Sequence, residues 1–160
     1  MDLSCHPVSF FSRWTVQRLT DLIGDKLQII WLSSRKPTGL AATSCSGQVD
    51  VTRLDHNRGA YYPTAGVMNM PYGLCVQDDR LIVADTANSR LLGFDLDEVR
   101  MDAGASRLAG QPDFARKGDN RWAPAVRDSL RWPYGVAACA PTVLIANSGN
   151  NRVLLCEAAP

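Results

Sequence analysis

Part of this chain occurs twice. Residues 71–94 return without a gap as residues 133–156, 62 positions later. Pro71, Tyr72, Gly73, Asn88 and Arg90 meet Pro133, Tyr134, Gly135, Asn150 and Arg152, and the blocks between them are apolar in both copies. Internal repetition at a fixed period constrains a fold more tightly than local propensity, because each copy must be the same small unit packed on its neighbour. A weaker echo lies upstream. Gly47-Gln48-Val49-Asp50-Val51 corresponds to Gly110-Gln111-Pro112-Asp113-Phe114 at an offset of 63, and Gln28-Ile29-Ile30-Trp31 aligns with Arg90-Leu91-Leu92-Gly93 at 62. The repeat region therefore spans 28–160, as a partial unit over 28–46 and repeats over about 47–109 and 110–156.

One unit reads as a meander. Pro71-Tyr72-Gly73 is turn chemistry. Leu74-Cys75-Val76 and Leu81-Ile82-Val83-Ala84 are short apolar runs separated by polar Gln77-Asp78-Asp79-Arg80. Asp85-Thr86-Ala87-Asn88-Ser89 is a second turn, and Arg90 to Phe94 a third strand. Ser106 to Gly110 supplies a fourth. The charged residues agree with this: Glu98 and Glu157 are the only glutamates and Lys26, Lys36 and Lys117 the only lysines, so good helix formers are scarce. Four-stranded units that repeat are propeller blades, and the period exceeds the usual 40–45 residues because of irregular stretches at 52–69 and 111–130.

The pattern Pro-x-Gly, an apolar strand, Asp-x-x-Asn-x-Arg and a final apolar strand resembles the NHL-repeat β-propeller family. It falls on Pro71, Gly73, Asp85, Asn88 and Arg90, and again on Pro133, Gly135, Asn147, Asn150 and Arg152. Asn147 departs from the family's Asp, which removes a charge that would pair with Arg152. The Gly110-Gln111-Pro112-Asp113-Phe114 block is similar to the extended form in bacterial NHL-repeat proteins. The resemblance implies an all-β fold of NHL-type blades, two complete and one partial. Such a set does not close a ring, so the expected molecule is an incomplete propeller, a piece of a longer protein, or a protomer closed by other copies. Pro37-Thr38-Gly39-Leu40-Ala41 offers a competing register that lacks a matching turn downstream.

Residues 1–27 form a separate segment. Phe10-Phe11, Trp14, Val16, Leu19 and Leu22-Ile23 are compatible with a short amphipathic helix, which Ser12 would cap and Gly24 would end. No basic start followed by an apolar run marks the N-terminus, and the expected compartment is the cytoplasm. The five cysteines, at 5, 45, 75, 139 and 156, form no Cys-x-x-Cys pair; reduced thiols are expected, with Cys75 and Cys139 in the core.

Asp85, Asn88 and Arg90 are polar and clustered, but they recur once per unit, and catalysis needs one constellation. They read as turn ties. His6 and His56 are the only histidines, too few for the zinc site of the lyase-like NHL enzymes, and His56 reads as a surface residue. No catalytic, cofactor or metal residue is assigned, and binding residues stay open. Net charge is +1, from 17 basic and 16 acidic residues, which argues against binding nucleic acid through bulk charge. Arg100, Arg107, Arg116, Lys117, Arg121, Arg127 and Arg131, with Trp122, Trp132 and Tyr134, give 98–134 some character of an RNA-binding loop. The bland alternative is a solvated loop anchored by its tryptophans. The expected function is a non-enzymatic scaffold for protein–protein interaction. An RNA platform is the alternative, and a degenerate propeller metalloenzyme a more distant one. The expected partners are a protein, further blades or copies of the chain itself; nucleic acid is less favoured and no membrane is implied.

Overall fold

The computed structural model describes residues 44–157 and Ala42. The partial unit at 28–46 and the proposed N-terminal helix thus lie, but for 42 and 44–46, outside the described residues. Strands β1 (Pro71–Gln77), β2 (Arg80–Asp85), β3 (Arg90–Asp95) and β4 (Arg107–Ala109) form one antiparallel sheet in chain order. Strands β5 (Pro133–Cys139), β6 (Thr142–Asn147) and β7 (Arg152–Glu157) form a second. No α-helix occurs among the described residues. The expected all-β architecture and the expected fourth strand near 106–110 are both present.

The hairpin geometry follows from the residues at the turns. Ser89 and Asn151, the last residues before β3 and β7, adopt left-handed φ of 54° and 52°. In antiparallel pairs, directly opposed residues share a face. Leu74, Val83 and Leu92 stand opposite one another, so they lie on one face of the first sheet, and Ala84, Leu91 and Ala109 lie on the other.

Each face has its own core. Val83, Leu92, Phe94 and Ala105 are buried together, with Met68, Leu81, Leu108 and Phe114 against them. Ala84 and Leu91, on the opposite face, pack on Leu130, Val143 and Ile145, which joins the two sheets. Burying each of these aliphatic side chains stabilises by about 1.5–3 kcal/mol. Gly73 lets β1 lie close against β5: a Cβ there would stand 2.8 Å from Tyr134 O and 2.9 Å from Val136 N.

Two expectations about side chains need correction. Cys139 is exposed and Cys75 only half-buried, and the four described cysteines are free thiols. Cys139 falls at the end of β5, opposite Thr142 beside a tight turn, where the sheet has no second layer. Trp122 and Trp132 are 76% and 48% exposed, so neither anchors its loop in a core.

Candidate functional site: turn ties and a cleft on the loop rim

The Asp-x-x-Asn-x-Arg turn of the first unit is a closed network. Asp85, Asn88 and Arg90 are completely buried. Arg90 Nε donates to Asp85 Oδ2 at 2.7 Å. Its other nitrogens donate to the carbonyls of Thr64, Val67 and Phe114. Asp85 also accepts from Asn88 Nδ2 and from the Asn69 backbone N–H. Burial pushes the Asp85 carboxyl above the usual carboxylate range, against the pull of Arg90 and these donors. One guanidinium therefore ties its own turn, the loop before β1 and the loop of the next unit.

The second copy keeps the shape and loses the charge. Arg152 Nη2 donates to the Val126 and Ser129 carbonyls, the counterparts of Thr64 and Val67. Asn147 Oδ1 accepts from the Arg131 N–H and from Asn150, as Asp85 does from Asn69 and Asn88. Asn147 Nδ2 is spent on the Ser129 carbonyl, and the buried Arg152 Nε has no acceptor among the described residues. The lost partner expected from Asn147 is thus visible as an orphaned donor.

The stretches 52–69 and 111–130 hold a second repeated motif that inspection of the sequence missed. Asn57-Arg58 and Asn120-Arg121 correspond at an offset of 63, the same as the Gly-Gln echo, which was the signal available. Asn57 and Asn88 exchange side-chain hydrogen bonds, and so do Asn120 and Asn150. Arg58 Nε donates to Gly47 O, and Arg121 Nε to Gly110 O. Gln48 Nε2 reaches the Asp55 carbonyl, and Gln111 Nε2 the Gly118 carbonyl. These stretches are ordered structural turns, and Arg121 is one of their ties.

Side chains that the repeat does not require stand out once those ties are subtracted. Tyr61, Tyr62, Arg116, Lys117 and Trp122 line one cleft of about 330 Å³, together with the repeated Gln111 and Arg121. Tyr61 and Tyr62 are 67% and 63% exposed and meet edge to face at 4.9 Å. Lys117 Nζ lies 3.7 Å from the centre of the Tyr61 ring, a cation–π contact.

Trp122 holds a position suited to glycine. Its φ is 60°, following 51° at Asn120 and 62° at Arg121. The corresponding residue of the first unit is Gly59, with φ 81°. A bulky residue in this region costs roughly 1–2 kcal/mol, and the exposure of Trp122 leaves little burial to offset it. Room for the indole comes from a second exchange. Asp55 of the first unit is replaced by Gly118, where any Cβ would run into the Trp122 ring.

The basic residues of 98–134 do not form one free surface. Arg121 pairs with Asp128 at 2.6 Å and Arg131 with Asp119 at 3.2 Å. Arg121 holds the Asp128 carboxyl below the usual carboxylate range. Arg116 keeps only a loose, exposed pair with Asp113 at 3.8 Å. His56 is exposed. Among the described residues no three His, Cys, Asp or Glu side chains gather as metal ligands, and no helix is long and apolar enough to cross a membrane.

No curated protein matches the chain. Residues 68–94, which run from the loop before β1 to the end of β3, match the family model described as NHL repeat. The matched segment carries the buried Asp85–Asn88–Arg90 turn, and its copy 62 residues on forms the same three-stranded antiparallel meander; residues 68–94 are an NHL repeat.

Proposed function

We propose that this chain is a non-enzymatic NHL-repeat scaffold for protein–protein contacts, acting in the cytoplasm. The observation that carries the reading is the uncovered face of the second sheet. Leu91 is 6% exposed because the second sheet covers it, whereas its counterpart Val153 is 60% exposed. Leu155, the counterpart of Gly93, is 71% exposed. Half-buried Leu144 and Ala146 of β6 share that face by register. Neighbouring apolar side chains in the open mark a surface made to be covered by protein. The same face suits a further blade or another copy of the chain. Partner capture by the tagged wild type, with and without nuclease, tests the reading against a Leu155→Glu variant. Partners that survive nuclease and are lost with the variant support a scaffold. Capture that disappears with nuclease overturns it in favour of an RNA platform.

A further inference from the structure

We propose that the rim cleft around Trp122 binds an acidic polypeptide segment that carries an apolar or aromatic side chain. The proposal rests on the scaffold reading only in taking the partner to be protein. Two of the exchanges that distinguish this rim from its copy concern the ring: Gly59 becomes Trp122, and Asp55 becomes Gly118. The first places a large ring in a left-handed backbone position, and the second clears the space the ring occupies. Neither exchange serves the core, because the indole remains largely in solvent. Trp122, Tyr61 and Tyr62 line one cleft with Arg116, Lys117 and Arg121, and its lining includes, among the described residues, no carboxylate.

That lining selects its ligand by complementarity. The aromatic part of the lining takes an apolar or aromatic side chain, and the lining cations take carboxylates. Arg116 keeps only a long pair with Asp113 that is exposed on both sides, and Lys117 lies over the Tyr61 ring. Single-stranded nucleic acid would need a continuous basic track beside the stacking rings. Here Arg121 and Arg131 are already paired with Asp128 and Asp119, which breaks such a track. A discrete cleft for a short acidic stretch fits better.

The test uses the full chain and a fluorescein-labelled peptide, Glu-Glu-Phe-Glu-Glu-Leu repeated twice, followed by fluorescence anisotropy. The peptide should bind, and more weakly as salt rises. Its Gln-for-Glu analogue should bind less tightly. Trp122→Gly restores the residue of the other unit, so it should fold at least as well as wild type while weakening binding about tenfold or more. Lys117→Glu should weaken the acidic peptide and spare the Gln analogue. Failure of the Glu peptide to bind, or undiminished binding by folded Trp122→Gly, overturns the proposal. So does a labelled oligouridine that binds more tightly than the peptide and is released by Trp122→Gly. If the Glu peptide does not bind while nuclease-resistant partners are still captured and are lost with Leu155→Glu, the cleft proposal falls and the scaffold reading stands.

Discussion

Arg90 and Arg152 hold the same place in two copies of one turn, and only Arg90 finds a carboxylate. Its pair with Asp85 is shielded from water, so removing either partner strands a charge in the interior. Breaking a buried pair in this way costs about 3–5 kcal/mol. Arg90→Ala is expected to lower the urea midpoint accordingly. Arg152 donates to carbonyls alone and leaves its Nε without an acceptor. Arg152→Ala should cost nearer 1 kcal/mol, the net worth of an ordinary hydrogen bond. Equal losses for the two variants would show that the ion pair is not what distinguishes the two turns.

At the scale of elements, the three strands of each unit were legible because apolar runs and turn residues alternate in both copies. The long turns between units were less legible. Asn57-Arg58 does not fit the Asp-x-x-Asn-x-Arg spacing, and its offset of 63 hides it from a comparison made at 62. The pose of Trp122 was hidden for another reason. A sequence shows backbone sign only through glycine, and the glycine that reveals it, Gly59, lies in the other copy. The same limit applies to the motif glycines of β1 and β5. Gly73 abuts main-chain atoms of β5, which cannot rotate away, whereas a Cβ at Gly135 would meet only the Ala146 methyl at 3.4 Å. Gly73→Ala is therefore expected to destabilise by about 1–3 kcal/mol or more, and Gly135→Ala by clearly less. Thermal unfolding of the two variants side by side measures the difference.

For the molecule as a whole, the packing inside the chain predicts how it meets other surfaces. The first sheet shows what its Ala84–Leu91 face does when another sheet is present: Leu91 falls to 6% exposure over Val143 and Ile145. The second sheet presents the corresponding face uncovered, with Val153 and Leu155 in solvent. On the face of the first sheet turned away from the second, Leu74 of β1 is 69% exposed. The two faces differ, so copies that associate through them join head to tail, in a heterologous contact that either closes a ring or grows. Light scattering of the purified chain should accordingly show a mass that rises with concentration. Val153→Asp would place a charge at the centre of the uncovered face and should hold the chain at monomer mass. Its unfolding midpoint should stay within about 0.5 kcal/mol of wild type, as for a surface substitution, because Val153 contributes little to the core of the single chain. A Val153→Asp protein that associates as strongly as wild type would place the contact elsewhere on the molecule.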